Sequence, residues 1–186
     1  TKQTGPGGTV VRRLLVEEGL PLDKEFYAAV LLDRRLEAPI LMASSQGGME
    51  IEEVAEKDPN AIVRETIDAR AGLHGFQARR MAFRLGFPKA LVNKAAAVLQ
   101  GLVRVFLDRD ASLVEVNPLV TTKDGRVACL DGKVVIDDNA LYRQTAVAGM
   151  RDVDEEDPTE RRAKDAGLSY IKLDGNIGCL VNGAGL

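Results

Sequence analysis

The stretch Glu115-Val116-Asn117-Pro118-Leu119-Val120, followed beyond Lys123-Asp124-Gly125 by Leu130-Asp131-Gly132-Lys133, decides how this 186-residue chain arranges its chemistry. Leu113 to Val120 and Arg126 to Val134 are rich in Val and Leu, and the Asp-Gly between them is the strongest short-range hairpin signal. A three-residue loop, Lys123-Asp124-Gly125, with its glycine in the left-handed region, pairs Thr122 with Arg126. Counting outward sets Asn117 opposite Asp131 and Glu115 opposite Lys133. Side chains alternate along a strand, so these four share one face, while Val114, Val116, Val120, Ala128 and Leu130 take the other.

Directly opposed β-carbons lie roughly 5 Å apart, near enough for Asn117 Oδ1 and an Asp131 carboxylate oxygen to reach one hard cation. Magnesium suits such a pair, because it takes one or two protein oxygens and completes its octahedron with water and substrate phosphates. The same pattern also fits an amphipathic hairpin whose polar face is solvated and ion-paired.

A hydrophobic content of 45% with 28% charged residues describes a globular chain able to bury a core. The net charge of −3 offers nucleic acid no general attraction, and no basic patch interleaved with aromatics overrides it. No apolar run is long enough to span a bilayer, and the start, Thr1-Lys2-Gln3-Thr4-Gly5, resembles neither a secretory signal nor a transit peptide. Cys129 and Cys179 sit in apolar, strand-like runs, which predicts buried free thiols in a reducing compartment. The single histidine, His74, lies in a glycine-flanked stretch that reads as a loop before a helix.

Strand and helix alternate along the chain. Val10 to Glu17, Phe26 to Asp33 and Pro39 to Ser44 read as strands. The last ends at Gln46-Gly47-Gly48, a strand-to-helix turn or a phosphate cradle, before helical composition from Glu50 to Glu56. Apolar residues recur at helical spacing from Gln77 to Leu85 and from Lys89 to Leu107, with Gly86-Phe87-Pro88 between. These helices read as core scaffold, with Arg79, Arg80 and Arg84 on a solvated face. The acidic run from Asp152 to Asp157, closed by Pro158, reads as a domain junction followed by a short helix to about Gly167. Tyr170 to Leu173 and Ile177 to Val181 are strand-like and lead into Asn182-Gly183-Ala184-Gly185.

Taken together, Glu-Val-Asn-Pro-Leu-Val, Leu-Asp-Gly-Lys and Asp137-Asp138-Asn139-Ala140-Leu141-Tyr142-Arg143 closely resemble the β subunits of succinyl-CoA synthetases. The resemblance extends to Leu15-Val16-Glu17-Glu18, Lys24-Glu25-Phe26-Tyr27, the run from Met42 to Glu52 and the run from Leu173 to Gly185. It implies an α+β chain: residues 1–162 as the carboxy-terminal part of an ATP-grasp domain, and 163–186 as the start of an α/β, flavodoxin-like CoA-ligase domain. On this reading the chain is truncated at both ends, and by itself it folds but lacks a complete active site and binds ATP weakly or not at all.

The resemblance also implies roles. Asn117 and Asp131 match magnesium ligands, and Glu115 an acid that receives the phosphohistidine loop. Glu17 and Leu20 match the hinge that contacts the base, Leu20 departing from the residues usual there, which leaves ATP against GTP open. Glu25 matches a residue near the ribose hydroxyls, and Asn182 a residue at the acid-substrate site, though each also reads as ordinary surface or turn chemistry. The implied activity is reversible ligation of succinate to coenzyme A with ATP or GTP, through phosphohistidine on an α subunit, in the bacterial cytoplasm or the mitochondrial matrix. A related malate–CoA or citrate–CoA ligase, or a nucleotide-binding module without turnover, are the alternatives.

Overall fold

The computed structural model describes residues 14–152, 156–171, 173 and 175–181. Two compact units divide after Ala140. The first contains β1 (Leu22–Asp33), β2 (Ala38–Ser44), α1 (Ile51–Lys57), β3 (Ile62–Thr66), α2 (Gly75–Arg84), α3 (Val92–Asp108), β4 (Ala111–Thr122), β5 (Val127–Cys129) and β6 (Gly132–Ile136). The second contains two short helices, α4 (Thr145–Ala148) and α5 (Pro158–Asp165).

The strands form one six-stranded sheet in the order β3-β2-β1-β4-β5, with β6 also on β4. Every pairing in it is antiparallel. The central position of β1 explains its continuous buried run Phe26–Val30, since a strand with neighbours on both sides and covered faces has little need of polar residues. One face of the sheet packs on α2 and α3. Phe26, Ala28, Val30, Leu41, Ala43, Val114, Val116 and Leu119 meet Ala78, Met81 and Ala82 of α2 and Ala95, Leu99, Val103 and Phe106 of α3.

Local signals set the helix ends. The His74 N–H donates to Gln77 Oε1 at 3.0 Å, the reach-back of a polar residue in the first turn that satisfies a free backbone donor. Gly86, at φ +79°, turns the chain away after α2, and Phe87 then stacks on Phe26 with ring centroids 3.9 Å apart. In the second unit the Asp157 side chain accepts from the N–H groups of Thr159 and Glu160, with Pro158 opening the helix as a residue without a donor can. No helix among the described residues is long and apolar enough to cross a membrane.

Four expectations are corrected. Residues 14–17 form no strand; Leu14, Leu15 and Val16 stand exposed with no pairing partner among the described residues, and 10–13 lie outside them. Tyr170, Ile171, Leu173 and Ile177–Val181 likewise form no strand, since apolar composition makes a strand only where a neighbour completes the ladder. Cys129 and Cys179 are free but exposed, not buried. Cys129 sits on a shallow edge strand where partial desolvation lifts its thiol pKa without covering it.

The fourth correction concerns the hairpin's apolar face. Phe26 pairs with Leu119 and Ala28 with Val116, so Asn117 and Pro118 together oppose the single residue Tyr27. Proline has no N–H to give the ladder and is confined to edges and bulges, which accounts for an irregularity at this position in a central strand. The extra residue shifts the alternation. Leu119 joins Val114 and Val116 in the helix-covered core, and Val120, though fully buried, is not part of that cluster.

Candidate functional site

The hairpin has the register its loop dictates. Thr122 N–H donates to the Arg126 carbonyl at 3.1 Å, Gly125 N–H closes the turn onto Thr122 at 2.9 Å, and Gly125 sits at φ +81°. Leu119, Val120 and Thr121 pair with Cys129, Ala128 and Val127. Glu115 pairs with Lys133 and Val116 with Gly132, and the Asn117 N–H donates to the Asp131 carbonyl at 3.3 Å. The outer strand is not continuous as expected; it breaks at Leu130–Asp131, where the Asp131 carboxylate turns back to accept from Gly132 N–H at 2.9 Å.

Glu115, Asn117, Asp131 and Lys133 line one cavity of about 570 Å³ on the sheet face opposite α2 and α3. Its remaining wall comes from Tyr27 and Leu31 of β1, Met42 of β2, Leu113 of β4 and Glu50, Ile51 and Glu52 at the start of α1. Four carboxylates against one ammonium make the cavity strongly acidic. Tyr27 is buried between them: desolvation first, then the charges of Glu115 and Glu52 and a hydrogen bond to Glu115, hold its phenol well above the ordinary range. Charge on the phenol is thereby disfavoured beside Glu115. Sequence reading passed over Tyr27 because its signal, a hydroxyl at the strand position facing a bulge, appears only once β1 and β4 are paired.

A second feature was also missed. The Asn117 amide is held at both ends by the loop after β2: Oδ1 accepts from Gly48 N–H at 2.8 Å, and Nδ2 donates to the Met49 carbonyl at 3.0 Å. That loop needs its glycines. A β-carbon at Gly47 would collide with the backbone of Phe26, and one at Gly48, which has φ +71°, would collide with Glu25 Oε2. Glu25 of β1 and Asn117 of β4 thus flank one loop.

Oxygen chemistry at the pair fits a hard cation. Asn117 Oδ1 keeps one lone pair beyond the Gly48 bond, Asp131 keeps its second carboxylate oxygen, and the cavity leaves room for water and phosphate. Among the described residues no cluster of three or more His, Cys, Asp or Glu is gathered for a metal.

Glu17 and Leu20 precede β1 in a segment without regular structure, Glu17 exposed and Leu20 half-buried. This segment is tied to the turn end of the hairpin: Lys123 N–H donates to the Pro21 carbonyl at 2.9 Å, and Arg126 lies 3.9 Å from Glu18 and 2.8 Å from Asp124. Glu25, half-buried, pairs opposite Val120, between the turn and Asn117. Asn182 lies outside the described residues. His74 belongs to the start of α2 and does not line this cavity.

Residues 1–121 of the sequence match the family model of the ATP-grasp domain. The chain belongs to the ATP-grasp family. Over its full length it is 56% identical to the succinate–CoA ligase [ADP-forming] subunit beta of Halalkalibacterium halodurans and to that of Bacillus cytotoxicus, and 55% identical to that of Bacillus velezensis. The chain spans about half of these relatives, 48% of each. Among solved structures, ATP citrate lyase from Methanothrix soehngenii in complex with citrate and coenzyme A superposes with a TM-score of 0.56 at 21% identity, covering 80% of this chain and 34% of that one. That likeness is one of fold.

Proposed function

We propose that this chain is the nucleotide-binding part of a succinate–CoA ligase β subunit, which forms succinyl-CoA from succinate and CoA with ATP or GTP, reversibly, through a phosphohistidine on an α subunit. The single observation that carries the reading is the order of groups along one sheet face. Starting from the hairpin turn come Glu17 to Leu20, tied there through Pro21 and Glu18, then Glu25 opposite Val120, then Asn117 with Asp131, then Glu115 with Lys133. A strand rises about 3.3 Å per residue, so Thr122 at the turn and Asn117 are on the order of 17 Å apart, a span suited to an extended nucleoside triphosphate. Base, ribose, phosphates and acceptor would follow in that order.

Each group has a task its chemistry permits. Backbone groups near Glu17 and Leu20 can read a purine edge, and the Glu25 carboxylate can accept from ribose hydroxyls. Asn117 and Asp131 would hold magnesium, which when bound neutralises phosphate charge; an acidic cavity otherwise repels a polyanion. Glu115, beside Tyr27, would lie beyond the phosphates and accept a proton or hydrogen bond from an incoming imidazole. Phosphoryl transfer of this kind asks for positioning and electrostatics, not a nucleophile from this chain. The domain division at 162/163, with Asn182 at the acid-substrate site, and a setting in the bacterial cytoplasm or, in a eukaryote, the mitochondrial matrix, belong to the same proposal.

The test is the full-length subunit assembled with its partner, given magnesium, ATP or GTP, CoA and one acid at a time. Thioester and nucleoside diphosphate formed in equal amounts with succinate support the reading. Turnover only with malate or citrate would reassign the acid, and nucleotide binding without phosphorylation of the partner would leave a non-catalytic module.

A further inference from the structure

We infer that the loop Gly47–Met49 is a positioning device for the metal ligand: it fixes which end of the Asn117 amide faces the cavity, and this is why the position carries an amide and not a carboxylate. The inference rests on the reading of Asn117 and Asp131 as a cation pair. Its own ground is separate, namely two hydrogen bonds of opposite polarity that join residues 68 and 69 positions apart in the chain.

An unrestrained asparagine can present either its oxygen or its NH₂ group to a cation, and only the oxygen binds. Here the Gly48 N–H, 2.8 Å from Oδ1, and the Met49 carbonyl, 3.0 Å from Nδ2, accept one orientation and reject the other, since a flip would set donor against donor and acceptor against acceptor. The Gly48 donor takes one lone pair of Oδ1 and leaves the second for the ion. A carboxylate at this place would keep the Gly48 bond and turn its second oxygen onto the Met49 carbonyl, a repulsion in place of a hydrogen bond.

The loop is itself held with little freedom. Gly47 lies flat on the backbone of Phe26, and Gly48 takes a left-handed conformation against the Glu25 carboxylate. Both contacts come from β1, whereas Asn117 sits on β4 at the bulge opposite Tyr27. The loop therefore registers the ribose-side acid and the metal-side amide to each other, and Gly48 and Met49 act through Asn117 without touching substrate.

The decisive experiment measures metal affinity, not turnover. Manganese binding to the full-length subunit with its partner and ADP is followed by electron paramagnetic resonance, for the parent, Asn117→Asp, Gly48→Ala and Asp131→Ala. A carboxylate is intrinsically the better ligand for a hard cation, so if Asn117 were only a ligand, Asn117→Asp would bind manganese as tightly as the parent or more so. Positioning predicts the reverse, a loss of at least tenfold, matched by Gly48→Ala. Unchanged or tighter manganese binding by Asn117→Asp overturns the inference, whether or not Gly48→Ala folds. If Asp131→Ala leaves manganese affinity untouched, the cation pair itself is wrong, and that failure is recognisable by its own variant.

Discussion

Asn117 and Asp131 are joined backbone to backbone, the N–H of one donating to the carbonyl of the other at 3.3 Å, and both side chains line the same cavity. Asp131 is exposed and makes no core contact, so Asp131→Ala in the full-length enzyme should remove magnesium-supported phosphorylation of the partner by a factor of about 100 or more while shifting the unfolding midpoint little. Phosphotransfer in that variant at the parental rate under limiting magnesium would refute the assignment.

Leu119 is fully buried in the helix-covered core because the bulge at Asn117–Pro118 turns it there. Leu119→Ala should therefore cost about 2–5 kcal/mol in urea denaturation, the range for a leucine truncated in a closed core. A strand alternating without interruption would place Leu119 toward the open cavity, and a cost below about 1 kcal/mol would favour that arrangement.

Two glycines separate close approach from backbone freedom. Gly125 has φ +81° with nothing near a future β-carbon, so Gly125→Ala should lose only about 1 kcal/mol. Gly47 presses on the backbone of Phe26, which cannot yield as a flexible side chain would, and Gly47→Ala should cost clearly more, about 1–3 kcal/mol. Equal losses, read from paired denaturation curves, would mean that the loop stands off from β1.

Glu65 on β3 predicts a pH dependence. Partial burial opposes its ionisation, but hydrogen bonds from Arg80 and Gln77 and the charge of Arg80 win, and its pKa is lowered. A carboxylate whose folded pKa lies below its unfolded value, about 4.3, contributes stability in full above that value and loses it as pH falls through the folded pKa. Half of the pair is solvent-exposed, so the contribution should be no more than about 1 kcal/mol. The stability gap between the parent and Glu65→Gln should be present at pH 7 and close on acidification below about pH 4. A gap that widens toward acid would reverse the sign.

What was legible in the sequence is what local chemistry decides. The Asp-Gly turn fixes pairing without reference to the rest of the chain, so Asn117 with Asp131 and Glu115 with Lys133 follow from counting. The two long helices announce themselves by periodicity, and β1 and β2 by their apolar runs. Features that need a neighbour were hidden. The clamp on Asn117 reaches across 68 residues, and Tyr27 gains its meaning only opposite the bulge. Pro118 was a visible signal of irregularity, since a central strand tolerates proline only at a bulge, yet the alternation of Val114, Val116 and Val120 concealed its effect on Leu119. The apolar runs at 14–16 and 177–181 misled for the converse reason: composition invites a strand, but pairing makes one.

The break in the outer strand at Leu130–Asp131 has a consequence for how the molecule behaves among its copies. Beside β4 lie two short pieces, Val127–Cys129 and Gly132–Ile136, whose free rows of N–H and C=O do not run on from one to the other. A long flat border, particularly one carrying Val134 and Val135 at the surface, is a template on which another chain can add a strand. The interruption shortens that template, with a charged residue at the gap. The same residue that would grip a cation thereby helps keep the sheet colloidally inert, so substitutions that smooth this kink into a regular strand trade solubility as well as chemistry.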